Sequence, residues 1–241
     1  MQIDGTRLPR WVAGFSSRHG LTVATATDQG LHLEAADGEL ADVQLPFLPW
    51  PTPVAVSGNP ATEPGMLLDH LVAAATAHAV AARPIGVLLV RRGGYACALL
   101  DGGTVVASKV GSRYVQSRTA AGGWSQQRFA RRRANQADGL VDAAVESAAR
   151  ILLDRSASRS RGPAWLVTGG DKPLVEQALA DPRLRAVAGL ARGRHLNVGD
   201  PKRDLVEALP ALLRQVSITL SDTGTPSDTA ALGDTATSAG T

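Results

Sequence analysis

The sequence predicts an α+β fold: a mixed β-sheet that carries an antiparallel meander, with helices packed on it. Three observations carry that expectation. The apolar runs Ile85–Arg92, Tyr95–Leu100 and Thr104–Val110 are separated only by Gly93-Gly94 and Asp101-Gly102-Gly103, tight-turn signals that make them consecutive antiparallel strands. From about Gln126 to Leu153, residues Phe129, Ala137, Leu140, Val141, Ala144, Ala148, Ile151 and Leu152 fall on one side at about 100° per residue, the helical period. A further strand, Ala164–Thr168, runs through Gly169-Gly170 into a helix over Pro173–Ala180, whose start is set by Pro173 in the first turn. The order β-β-β-α-β-α gives a sheet with helices on it.

The remaining elements follow along the chain. Residues 7–18 place Leu8, Trp11, Val12 and Phe15 at helical spacing, which predicts a short amphipathic helix. Leu21–Ala26 and Leu31–Ala35 read as strands joined by a hairpin at Asp28-Gln29-Gly30, and Leu40–Leu45 as a third after Asp37-Gly38. Six prolines between Pro46 and Pro64 argue for a linker. Residues 1–64 are therefore expected to form a small α+β lobe with its linker. The Ala-rich segment Gly65–Ala82 should be helical and open a second domain, 65–218. In that domain, Leu184–Leu190 is a candidate strand and Asp204–Val216 a last helix. From Thr219 the chain is Thr, Ala, Ser, Gly and Asp with little to bury, so 219–241 is expected to be a disordered tail.

Composition narrows the function. The 241 residues are 44% hydrophobic but only 4% aromatic, so the core must be built from Ala, Val and Leu. A single cysteine, Cys97, excludes an internal disulfide framework and a multi-cysteine zinc site, and fits a reducing compartment. No secretory signal or bilayer-length apolar run is visible, which predicts a cytoplasmic protein with no membrane partner. The net charge of +3 conceals an uneven distribution. Between Gly102 and Ala137 stand Lys109, Arg113, Arg118, Arg128, Arg131, Arg132 and Arg133 with no acid among them, a block that points to a polyanion.

Most chemical motifs are missing. No nucleophile elbow or catalytic-cysteine pattern occurs, and Cys97 sits inside a strand where core packing explains it. The five histidines lack zinc-ligand spacing, so neither a metal site nor a cofactor is expected. Gly169-Gly170-Asp171-Lys172 invites a phosphate-loop reading, but it lacks the Gly-Lys-Ser/Thr pattern, and a plain strand-to-helix turn accounts for it. A two-metal nuclease of the ribonuclease H type needs clustered carboxylates. Here Asp101 lies where a hairpin wants Asp, and Asp138, Asp142 and Glu146 fall on the solvent side of the long helix.

The segment from Ala120 to Arg133 remains: a glycine loop, two amides and an arginine cluster on a helix start. A solvated helix face after an ordinary loop is the plain explanation. Against it, no acids are interspersed with the bases, and paired glycines let backbone N–H groups approach a substrate closely. Gly122-Gly123, Ser125 and then Arg128-Phe129-Ala130-Arg131 with Arg133 resemble the Gly-Gly-Gln loop and following helix in the middle domain of archaeal and eukaryotic peptide-release factors. The resemblance continues through Leu166–Thr168, Gly169, Lys172 and Asp181-Pro182-Arg183-Leu184. It is closer still to the Vms-like release-factor family of ribosome quality control, in its actinobacterial-type branch. There the loop signature is Gly-x-x-Gln, satisfied by Gly123-Trp124-Ser125-Gln126. The similarity covers about residues 84–200.

The resemblance implies a release-factor middle-domain-like fold and a peptidyl-tRNA hydrolase, a carboxylic ester hydrolase that frees the nascent chain from stalled ribosomes. It implies the large ribosomal subunit, tRNA and rRNA as partners; a monomer is expected. The ordinary release factor has Gln directly after the glycines, where this chain has Trp124. Gln126 is thus the implied catalytic amide, with Gln127 one residue away as its alternative and Gly122, Gly123 and Ser125 completing the loop. Arg128, Arg131, Arg132 and Arg133 would hold RNA phosphates, with Lys109, Arg113 and Arg118 extending that surface. A non-enzymatic ribosome- or RNA-binding factor of the same fold is the competing reading, and a metal-dependent ribonuclease H-like nuclease the third.

Overall fold

The computed structural model describes residues 1–51, 64–112, 125–154 and 162–222; for 64–66, 125–136 and 222 it describes the backbone alone. Two five-stranded sheets organise the chain. The first has the order β1-β10-β4-β3-β2 and is antiparallel throughout. It contains β1 (Gln2–Asp4), β2 (Thr22–Ala26), β3 (Gly30–Ala35), β4 (Glu39–Gln44) and β10 (Gln215–Asp222). Burial alternates along its strands: in β4, Ala41 and Val43 are buried while Asp42 and Gln44 are exposed. This is the signature of a sheet with one covered face. The cover is α1 (Leu8–His19) and α2 (Pro64–Val80), whose Leu8, Phe15, Leu71 and Ala75 meet Leu31, Leu33 and Ile218 in one core. On the open face His32 Nδ1 lies 2.7 Å from an Asp42 carboxylate oxygen across neighbouring strands.

The second sheet has the order β7-β6-β5-β8-β9. The meander β5 (Ile85–Arg91), β6 (Gly94–Asp101) and β7 (Thr104–Ser112) is antiparallel, as the glycine turns predict. Strand β8 (Trp165–Gly170) pairs parallel to β5, and the short β9 (Ala191–Arg192) pairs parallel to β8. A parallel pair needs a crossover, supplied by α3 (Ser125–Ala148), which continues as one wider π turn through Ala149–Leu153. Both faces of its inner strands β6, β5 and β8 are covered, while the edge strands β7 and β9 have no buried residue. Residues Leu88, Val90, Cys97 and Leu99 pack under α3 and α4 (Lys172–Leu179). Residues Val87, Leu89, Ala96, Ala98 and Leu100 pack under α6 (Arg203–Leu213). The architecture is thus α+β, with one antiparallel and one mixed sheet.

Four features depart from the sequence expectations. Leu184–Leu190 is not a strand: Pro182–Leu184 forms a 3-10 turn and Arg185–Ala188 a short helix, α5. Asp181 explains this, since its carboxylate accepts from the Arg183 amide at 2.9 Å and caps the turn, leaving Leu184 and Val187 three residues apart on one buried side. The chain does not lose order at Thr219, because β10 runs to Asp222 and joins the first sheet; residues 223–241 lie outside the described residues. Helix α2, expected in the second domain, packs into the core of the first lobe. The proline-rich stretch begins as packed structure. Trp50 is buried in the first core and donates through Nε1 to the Thr27 carbonyl at 2.6 Å, while Phe47 meets Trp165 edge-on at 5.3 Å in the second core.

Candidate functional site

Strand directions decide where a site can form. Strand β7 is antiparallel to β6, which is antiparallel to β5, so β5, β7 and β8 all point the same way. Their carboxyl ends therefore share one edge of the sheet. In sheets with parallel pairs the crevice beyond that edge is the usual place for a ligand. Strand β7 ends at this edge with Ser112, and the next described element is α3, from Ser125.

Helix α3 is held along its carboxyl-terminal half. Leu140, Ala144, Val145 and Ala148 are fully buried on the sheet. The buried Tyr95 hydroxyl and Ser147 Oγ are 3.0 Å apart, and the Cys97 thiol points at the Ala144 carbonyl at 3.6 Å. On the outer side Gln177 donates to Asp138 at 2.9 Å, and Arg183 faces Asp142 at 3.8 Å. Strands β7 and β8 point the same way, so α3, which connects them, runs back across the sheet from their carboxyl ends, and α4, which follows β8, starts at that same edge. Ser125 precedes Leu140 by about 22 Å along a regular helix axis. The amino-terminal turns of α3 are thus carried on a rod whose far half is fixed in the core.

The structure distributes the sequence candidates unevenly. Gly122, Gly123, Arg113 and Arg118 lie outside the described residues. Ser125, Gln126 and Gln127 occupy the first turn of α3, and Arg128, Arg131, Arg132 and Arg133 the turns that follow. The first four N–H groups of any helix lack an intrahelical acceptor, so this first turn offers donors and the positive end of the helix dipole. Lys109 is exposed on the edge strand β7 opposite Cys97, on the sheet face that α3 covers. Among the described residues, Lys109 and the arginine-bearing helix therefore share one side of the sheet.

Other candidates resolve into ordinary structure. Burial pushes the Cys97 thiol up to about 12, which leaves no thiolate for nucleophilic work near neutrality. The Gly169–Lys172 turn spends its own amides: Gly170 donates to the Leu196 carbonyl at 3.1 Å and Asp171 to the Val90 carbonyl at 2.8 Å. Gly170 sits at φ +90°, and a Cβ there would run into the Val90 carbonyl. Asp138, Asp142 and Glu146 are exposed, each beside a polar or cationic neighbour. Among the described residues, no group of three or more His, Cys, Asp and Glu could hold a metal ion.

Two clefts on the same edge were not singled out by the sequence. One, of about 430 Å³, lies between Gly93, Gly111, Ser112, Pro201 and Lys202, beside the point where the 113–124 segment departs. The other, of about 530 Å³, is lined by Thr168, Lys172, Val175, Arg192 and His195. His195 is fixed there between the Thr168 hydroxyl at 3.0 Å and the Gly170 carbonyl at 3.1 Å. Thr168 and Lys172 belong to the strand and turn already noted in the sequence, but Arg192 and His195 join them only through the pairing of β9 and Leu196 with β8.

Among the described residues, no helix is long and apolar enough to cross a membrane. No curated protein sequence gives a significant match to the chain. The sequence pattern of the Actinobacteria/chloroflexi VLRF1 release factor family matches residues 83–219. That span begins just before β5 and takes in the whole mixed sheet, the 113–124 segment and α3, which is more than half of the chain. The arginine-bearing helix start and the edge it rises from thus fall inside the matched region, and the chain belongs to the Actinobacteria/chloroflexi VLRF1 release factor family.

Proposed function

We propose that the protein is a peptidyl-tRNA hydrolase that acts on stalled peptidyl-tRNA at the large ribosomal subunit, as a cytoplasmic monomer. The observation that supports this reading is the family match over a span in which Gly123-Trp124-Ser125-Gln126 runs in sequence directly into the arginine-bearing helix α3. The bond broken is the ester between the nascent peptide and the terminal ribose of tRNA. Water adds to the ester carbonyl carbon, the carbonyl oxygen takes up negative charge, and the ribose hydroxyl leaves with a proton. The products are a free peptide carboxylate and intact tRNA.

A glutamine amide has donors and an acceptor but no usable pKa, so it cannot act as a general base. The role left to Gln126 is to position the attacking water, while backbone N–H groups of the loop and helix start face the developing oxyanion. Gln127 is one residue further along the same turn and is the alternative amide. Neither a triad nor a metal is required, because the ester is already activated and the ribosome supplies much of the surroundings. Arg128, Arg131, Arg132 and Arg133, with Lys109, Arg113 and Arg118, would grip rRNA or tRNA phosphates and set the depth of the loop. Such contacts position without reading sequence and weaken with salt. Arg131→Glu with Arg132→Glu should accordingly reduce ribosome binding itself.

Trp124, standing where ordinary release factors carry the amide, gives the second reading its footing: a ribosome-binding factor with an inert loop. The experiment is to incubate the protein with stalled ribosomes bearing labelled peptidyl-tRNA, with and without a chelator. Freed peptide with intact tRNA, insensitive to the chelator, is expected. Bound but unchanged substrate would establish the binder, and chelator-sensitive cutting of RNA would establish a nuclease.

A further inference from the structure

Apart from the start of β10, the first lobe lies outside the matched span, and it carries a surface that the release chemistry does not use. From Gly5 to Thr27 the chain has three arginines, Arg7, Arg10 and Arg18, and no acid. All three are exposed, and none forms an ion pair among the described residues. At about 100° per residue Arg10 and Arg18 fall within about 80° of one another on the outer side of α1, with Gly14 between them and about 12 Å of helix axis separating them; Arg7, the last residue of the 3-10 turn before α1, stands just ahead of Arg10. Trp11, half-buried and stacked on Phe15 at 5.5 Å, borders the stripe. The nearby carboxylates are directed elsewhere. Asp4 pairs with Arg214 at 3.3 Å, Asp37 with His19 at 2.8 Å, and Asp69 lines a groove on the other flank of α1, beside Pro9, Ala13 and Ser16.

We propose that this face of α1 is a second docking surface for the sugar–phosphate backbone of RNA, separate from the arginine block on α3. Three exposed guanidinium groups along α1 and the turn that leads into it suit a row of phosphates, since each offers a planar fork that stays charged at any working pH. An anionic membrane is the other polyanion a basic helix can meet, but it requires a free apolar face to insert. Here that face is consumed: Leu8 and Phe15 are 0% exposed and Val12 is 3% exposed, all within the lobe's own core. The inference rests on the proposed function only for the identity of the polyanion as RNA.

The test uses the full chain and a labelled RNA hairpin, with binding followed by fluorescence anisotropy between about 50 and about 200 mM KCl. Substituting Arg7, Arg10 and Arg18 together by Gln should lower the affinity at least about tenfold at the lowest salt. It should also flatten the slope of log affinity against log salt by about 2 to 3, near one per lost phosphate contact. The corresponding Lys triple should keep most of the slope, and Arg18→Gln alone should remove about 1 of it. Unchanged slopes in the Gln variants would overturn the proposal, as would arginine-dependent binding to phosphatidylserine vesicles in place of RNA. A wild-type protein that frees no peptide but shows the slope change would refute the hydrolase reading and leave this one standing. Normal release with unaltered slopes would do the reverse.

Discussion

The two sheets of this protein solve the same problem differently. The first hides one face and leaves the other to water, so its strands alternate: Thr22 and Ala24 are buried, Val23 and Thr25 exposed. The second hides both, so β5 and β6 are buried at nearly every position. The difference follows from the parallel pairing of β5 with β8, whose crossover places α3 on one face while α6 closes the other. A sheet enclosed on both sides can vary only at its ends, and the arginine-bearing start of α3 lies at one end. The open sheet has a whole face and two outer helices on which to carry charge. One lobe therefore suits a site at an edge, the other a docking surface.

The largest effects should come from breaking that contrast in the enclosed sheet. Leu88 faces α3 and Leu89 faces α6, and both are 0% exposed. Leu88→Lys and Leu89→Lys should each cost more than about 4 kcal/mol in urea unfolding, because neither face can release a charge to water. Val23→Lys, on the open face of the first sheet, should stay within about 0.5 kcal/mol. Tyr95→Phe tests how α3 is anchored. Removing the hydroxyl leaves Ser147 without its buried partner and should cost about 1 to 2 kcal/mol by the same measurement.

A smaller effect should come from the strap between the lobes. His78 on α2 donates through Nε2 to the Pro46 and Phe47 carbonyls, at 3.0 and 3.2 Å, while Nδ1 faces the Arg83 guanidinium at 3.2 Å. Burial, and then the neighbouring Arg83 charge, hold its pKa below the ordinary imidazole value. The unfolded chain therefore takes the proton first as pH falls through about 6.5. Stability should decline from there downward, and His78→Gln, which keeps a donor, should flatten the decline between about pH 7 and about pH 5. The smallest effect concerns Asp181. Its hydrogen bonds from Arg183 hold the carboxyl at about 2, so its contribution is complete above the ordinary carboxylate range and fades as pH falls toward that value. Asp181→Asn should remove that part of the acid dependence, lowering stability slightly near neutrality and altering least near pH 2, where the native carboxyl is itself taking up its proton.

Much of the enclosed sheet was legible in the sequence, because its signals are local. Gly93-Gly94 and Asp101-Gly102-Gly103 fix two turns, and the apolar stripe from Leu140 to Leu152 fixes the face of α3. The first lobe's closure was not legible. Gln215–Asp222 alternates Val216, Ile218 and Leu220 with polar residues, a strand pattern, but its Ser and Thr content resembles the tail that follows. Its pairing partners, β1 and β4, lie more than 170 residues away in sequence. Leu184–Leu190 misled for the opposite reason: its apolar residues suit a strand, but the Asp181 cap and Pro182 start a helical turn instead. At the site, the charge block and the Gly-x-x-Gln spacing could be read from the sequence. The clefts at Lys202 and at His195 could not, since residues far apart in the chain meet there only through sheet pairing.

The central claim is that an amide at the start of α3 positions the water that releases the peptide. The most direct measurement is single-turnover peptide release from stalled ribosomes at saturating protein, comparing wild type with Gln126→Ala and scoring ribosome binding in parallel by sedimentation. The account predicts that release falls at least about hundredfold, the scale of a lost positioning contact, while binding changes less than about twofold. Wild-type release by Gln126→Ala would contradict it, and loss in Gln127→Ala instead would move the catalytic amide by one residue.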